Sequence, residues 1–231
     1  MKATRAPFRP SAASPARSPL RNQLLRAMGG GFVLAPYLGQ VATRSFVPSA
    51  ISGVNNFSMT RSAHYTTQDV TGLQIVLPGF AVVAGADTVT TSSNVYTASI
   101  EYPAGTFTQV TWSASSSVSA PAGGVTPLSD VCSVTVPANT VFWIRNFCKT
   151  PAGTGGGIAL TQATSSTRWV AQGEACTASA TTLTDQTMSG TVADGGTGVF
   201  VYPLAIVSTT SRASFLCVGD SRTLGTGMSV D

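Results

Sequence analysis

Four times along this chain a Pro-Ala pair is followed by Gly or Asn: YPAG at 102–105, APAG at 120–123, VPAN at 136–139 and TPAG at 150–153. Proline presets φ for the second position of a tight turn, and Gly or Asn tolerates the left-handed backbone that completes the reversal. The prolines are 18, 16 and 14 residues apart, enough each time for a strand and its connection. Between them lie short β-branched and aromatic runs: LQIVL (73–77), VYTASIEY (95–102), FTQVTWS (107–113), VCSVTV (131–136), VFWIRNF (141–147), MSGTV (188–192) and VFVYPLAIV (199–207). No apolar stripe with a 3.6-residue period persists. The expectation is a mainly β chain built around an antiparallel β-sandwich with jelly-roll-like connections. The turns are reused chemistry rather than a solenoid repeat.

Charge is sparse, at 10% of residues, and unevenly placed. Residues 1–68 hold eight bases (Lys2, Arg5, Arg9, Arg17, Arg21, Arg26, Arg44, Arg61) and no acid, whereas the rest holds five bases and nine acids. The Arg- and Pro-rich opening, RAPFRPSAASPARSPLR, offers little apolar surface against its ordering entropy, so residues 1–58 are expected to be a basic, flexible leader. Three readings remain open for it: a nucleic-acid-binding tail, a targeting segment, or a bland leader that reflects a poorly chosen start codon. The apolar patch AMGGGFVLAPYLGQVA at 27–42 has signal-peptide features but is broken by Pro36 and four glycines, and it lacks the small residue three before a cut after Ala42. No run of 18 apolar residues predicts a membrane-spanning helix. The Ser/Thr/Gly-rich composition favours a secreted, cell-envelope or virion-associated setting over the cytoplasm.

Cys132, Cys148, Cys176 and Cys217 show no CxxC spacing, and with one histidine, His64, no zinc site assembles from local motifs. Buried free thiols are expected; a Cys132–Cys148 disulfide would need their strands to be neighbours. In VFWIRNF, alternation sends Val141, Trp143, Arg145 and Phe147 to one face, and Phe142, Ile144 and Asn146 to the other. Arg145 is therefore either presented to an anionic or sugar ligand beside Trp143, or stacked on Trp143 at a sheet rim.

The last stretch differs in kind. SFLCV at 214–218 is continuously apolar, as in a strand buried on both faces of a helix-covered parallel sheet, and it runs directly into Gly219, Asp220 and Ser221. A serine at the end of such a strand projects its hydroxyl into the crevice, while its backbone N–H can serve a developing oxyanion. Asp220 can brace the loop. The tripeptide alone is a weak signal, but GDSRTLGTG closely resembles the first sequence block of the SGNH (GDSL-type) hydrolases, with Thr223 and Gly225 at the positions of that pattern. Arg222 departs from the apolar or small residue usual there. TRSAHYTTQDVTGLQIVL, TASIEYPAGTFTQVTW and VPANTVFWIRNF resemble the leading β-domain of a set of bacterial and phage-associated members, so that the resemblance covers roughly 59–231.

This resemblance implies a serine acyl hydrolase acting on an ester, such as a carbohydrate ester or lipid, with no metal or other cofactor. Ser221 would be the nucleophile and one oxyanion donor, supported by Gly219 and Asp220, with Arg222, Thr223 and Gly225 nearest the substrate. It also implies a β-sandwich accessory domain over 59–211, with carbohydrate as one candidate ligand, and the first strand and loop of a flavodoxin-like α/β domain over 212–231. The family's remaining oxyanion donors and its DxxH pair lie downstream of the serine, so the chain is expected to be the amino-terminal part of a longer enzyme and silent by itself. His64 is upstream and is expected to be structural. The alternative reading is a structural or binding jelly roll, a coat or tail module whose basic arm binds nucleic acid.

Overall fold

In a computed structural model of the protein, residues 35–151, 157–161, 168–195 and 200–213 are described. Contacts divide the chain into Met1–Ala35 and Pro36–Asp231, and the elements below all belong to the second unit. In chain order they are β1 (Tyr37–Gln40), β2 (Ala50–Ile51), β3 (Phe57–Thr66), β4 (Val70–Val76), β5 (Phe80–Val83), β6 (Ala86–Val89), β7 (Asn94–Glu101) and β8 (Phe107–Gln109). They continue with β9 (Ser117–Ala120), β10 (Cys132–Val136), β11 (Thr140–Lys149), β12 (Ala159–Leu160), a single 3-10 turn at Val170–Gln172, β13 (Ala175–Ser179) and β14 (Ala205–Thr210). The protein is mainly β, and the strand pairings among the described residues are antiparallel.

One sheet runs β1-β14-β4-β10, and the other β13-β3-β11-β7-β8 with β9 also on β7; β12-β2 and β5-β6 form small ribbons. The two large sheets share one core. Leu73 and Ile75 of β4, Val134 and Val136 of β10 and Ile206 of β14 cluster with Tyr96, Ala98 and Ile100 of β7 and Phe142 and Ile144 of β11. Full burial of each large side chain among them contributes about 1.5–3 kcal/mol. The other face of β11 is covered by loops, through a smaller cluster of Met59, Phe147, Ala175 and Val192.

Three of the four Pro-Ala turns sit between strands as expected, with φ of +82° at Gly105, +76° at Gly123 and +58° at Asn139. The detail differs. Pro103 and Pro121 are the first residues of their turns, and their carbonyls accept from the N–H groups of Thr106 and Gly124, each at 2.9 Å. The fourth copy runs into residues 152–156, outside the described set.

Several expected boundaries are corrected. The leader expected through residue 58 already contains β1 and β2, and Tyr37–Gln40 pairs along β14. MSGTV at 188–192 is a loop rather than a strand, because the carbonyls of Ser189 and Gly190, with that of Gln186, turn toward Arg145 Nη1. Among the described residues of VFVYPLAIV, strand begins at Ala205; Pro203 carries no N–H for a ladder. FTQVTWS shortens to Phe107–Gln109, since Ser113 and Ala114 take positive φ and donate their N–H groups to the Asp130 carboxylate.

The strand the sequence hides is β3. Its Ser58, Thr60, Ser62, His64 and Thr66 are all fully buried. A polar face is tolerated there because it is hydrogen-bonded. Thr60 Oγ accepts from Val201 N–H, and Asn146 Nδ2 on β11 donates to Val201 O, so side chains hold the irregular segment leading into β14.

Candidate functional site

The antiparallel register of β3, β11 and β7 gathers Arg61, Arg145 and Glu101 onto the face away from the shared core. Arg61 lies directly across from Arg145, and Arg145 across from Ser99; one step along, Trp143 faces Glu101, and Glu101 faces Phe107 of β8. Two arginines opposite each other repel. Glu101, on the diagonal, bridges them: its Oε2 accepts from Arg61 Nε and Arg145 Nε, both at 2.8 Å, and its Oε1 from Arg61 Nη2 at 2.9 Å and Gly105 N–H at 2.9 Å. The positive φ of Gly105 in the YPAG turn aims that N–H back at the strand end.

Burial works to raise the Glu101 carboxyl, but hydrogen bonds from Arg61, Gly105 and Arg145, together with the charge of Arg61, hold it at about 2. It is an anion throughout the physiological range. Each guanidinium also lies on an aromatic face, Arg61 over Trp143 at 4.1 Å and Arg145 over Phe107 at 4.3 Å. The expected stacking of Arg145 on Trp143 is therefore corrected, as is the rim position: Arg145 is on a strand flanked on both sides and is 4% exposed. Trp143 is taken by Arg61 and donates Nε1–H to Gln172 O at 2.6 Å. A cavity of about 400 Å³ opens against this cluster, lined by Arg61, Glu101, Phe107, Arg145, Thr191 and Val192 among others.

A second cluster is organised by Glu174, just before β13. Its carboxylate accepts from Arg44 Nη2 at 2.8 and 3.0 Å, from Ala63 N–H at 2.9 Å and from Trp169 N–H at 2.6 Å. Arg44 also lies over the Trp169 ring at 4.6 Å. These contacts tie the loop between β1 and β2 to the 3-10 turn and to β3 just beyond its pairing with β13.

His64 is fully buried beneath Phe142 and Tyr202. Its Nδ1 is 2.9 Å from Thr43 O and its Nε2 2.8 Å from Ser62 Oγ. A carbonyl can only accept, so Nδ1 carries the proton and Nε2 accepts from the serine hydroxyl. Burial lowers its pKa to about 3, against the bond to Thr43 O and with help from the Arg44 charge. Ser62 and His64 thus have the spacing of a nucleophile and base, but both have zero exposure and no substrate path. Cys132, Cys148 and Cys176 are buried and outside any disulfide, with burial raising Cys132 to about 11 and Cys148 to about 12. Among the described residues no group of three or more His, Cys, Asp or Glu is placed to hold a metal ion, and no helix is long and apolar enough to cross a membrane.

Gly219, Asp220, Ser221, Arg222, Thr223 and Gly225, with SFLCV and Cys217, lie outside the described residues. Sequence reasoning found Arg145 and Trp143 but missed Arg61, Glu101 and Phe107. A usable signal was the acid itself: Glu101 ends an apolar alternating run in a chain with nine acidic residues in all. No family model matches this chain, and no curated protein matches it.

Proposed function

We propose that this chain carries the β-module and the nucleophile block of an SGNH-type serine acyl hydrolase, with Ser221 as nucleophile. The observation that carries the reading is the block GDSRTLGTG, reached directly from the apolar run SFLCV. Such a strand-to-loop passage is the context that a serine nucleophile needs, and Thr223 and Gly225 extend the resemblance past the tripeptide. Asp220 and Gly219 support the loop; Arg222, Thr223 and Gly225 contact an ester-bearing substrate, a carbohydrate ester or a lipid. No metal enters the chemistry.

A serine hydroxyl at neutral pH needs a positioned base. The chain has one histidine, and both of its ring nitrogens are engaged inside the sandwich. His64 is therefore not the base for Ser221 in this reading. The test is hydrolysis of a short-chain nitrophenyl ester by the product of the complete natural gene and by its Ser221→Ala variant. We expect turnover that falls by about a thousandfold or more in the variant, and none above background in the 231-residue chain. Equal rates in parent and variant would overturn the assignment.

A further inference from the structure

Counting the donors of the two arginines around Glu101 leaves one remainder. Arg61 uses all three nitrogens: Nε and Nη2 on Glu101, and Nη1 on Gly173 O. Arg145 uses Nε on Glu101 and Nη1 on the carbonyls of Gln186, Ser189 and Gly190. Its Nη2 has no hydrogen-bond partner among the described residues, although the residue is only 4% exposed. The Arg145 side chain lines the 400 Å³ cavity.

The charge in that wall is also unbalanced. Two guanidinium groups meet one carboxylate, and both oxygens of Glu101 already accept two hydrogen bonds each. A buried positive charge with free N–H donors calls for an anion. One net positive charge is offset by a monoanion, whereas a dianion would leave excess negative charge beside Glu101. The two N–H groups of Nη2 can serve a carboxylate oxygen and an adjacent hydroxyl together. Phe107, Ala175 and Val192 supply an apolar wall beside them, and the volume falls in the range that encloses a small organic ligand.

We propose that this cavity binds a monosaccharide-sized hydroxy-carboxylate, a sugar acid, with its carboxylate on Arg145 Nη2. The site is independent of Ser221, so its failure would leave the hydrolase reading standing, and the reverse also holds. The experiment titrates the folded protein with sodium galacturonate, following heat by calorimetry and the Arg145 Nε–H and Gly105 amide resonances by NMR. Galactose, sodium phosphate and sodium chloride at matched ionic strength are the comparison arms. We expect saturable one-to-one binding of galacturonate that shifts both resonances, with galactose and chloride at least tenfold weaker. Thr191→Glu, which places a tethered carboxylate on the cavity wall, should weaken galacturonate by tenfold or more while the protein stays folded. Four results overturn the proposal: no saturation at tens of millimolar galacturonate, equal binding of galactose, preference for phosphate, or shifts confined to resonances away from Arg145 and Gly105. Should Thr191→Glu not fold, the resonance map of the unaltered protein decides alone.

Discussion

Acidification from about pH 7.5 to about pH 5 should destabilise the β-unit through a single residue. His64 is the only histidine in the sequence, and in the folded protein burial holds its pKa at about 3, against 6.5 when free. Its folded value is depressed, so the neutral form is favoured by folding. The stability this reflects is fully present above about pH 6.5 and is lost as pH falls toward 3. At about pH 5 the unfolded chain binds almost one more proton than the native one, and the accumulated loss is about 2 kcal/mol, rising to about 3 kcal/mol near pH 4. Carboxylates add little until the lower end of that window. Urea unfolding at a series of pH values reads the loss as a falling midpoint with unchanged m-value. His64→Gln should be less stable at neutral pH but nearly flat between about pH 7.5 and 5. A flat profile in the parent, or the same slope in His64→Gln, would refute the reasoning; so would a histidine Cε1–H resonance of the folded protein that titrates near 6.5.

The remaining expectations are briefer. Glu101→Ala should cost about 3–5 kcal/mol in unfolding free energy, because it strands two buried guanidinium groups, and a loss below about 1 kcal/mol, the scale of an exposed pair, would show the cluster to be solvated. Mass spectrometry after a brief pulse of iodoacetamide at neutral pH should find Cys132, Cys148 and Cys176 unmodified in the native protein and modified in urea, since burial keeps all three inaccessible and raises Cys132 and Cys148 well above ordinary thiols.

What the sequence made legible was whatever period two expresses. VYTASIEY, VCSVTV and VFWIRNF emerged as β7, β10 and β11 within one or two residues at most ends, and the Pro-Ala turns fell between strands. What it concealed was β3, one face of which is buried Ser, Thr and His while the other buries only Met59 and Ala63, so that it carries no clear hydrophobic alternation. Missing β3 meant missing Arg61, and without Arg61 the role of Glu101 was invisible, since the bridge exists only when three strands are aligned. MSGTV failed for the opposite reason. Its composition suits a strand, yet a buried arginine across the fold recruits its carbonyls; such a tertiary demand leaves no local trace.

The carboxylates of this unit bear on where catalysis can reside. Asp130 accepts from Thr111 Oγ and from the N–H groups of Ser113 and Ala114; Asp69 accepts from Ala138 N–H, and Asp185 from Thr187 N–H and Oγ. Glu101 and Glu174 are buried and saturated by arginine and backbone donors. A general base must reach a substrate and hold a pKa near the working pH. Hydrogen bonds to the anion act the other way, and they keep Asp130 low and Glu101 near 2. His64 fails on access as well as on pKa. These five acids and the histidine are thus engaged in fixing turns and pairing strands, and the unfilled polar capacity beside Glu101 is a donor, Arg145 Nη2. Under the proposed hydrolase reading, neither these acids nor His64 is the base for Ser221.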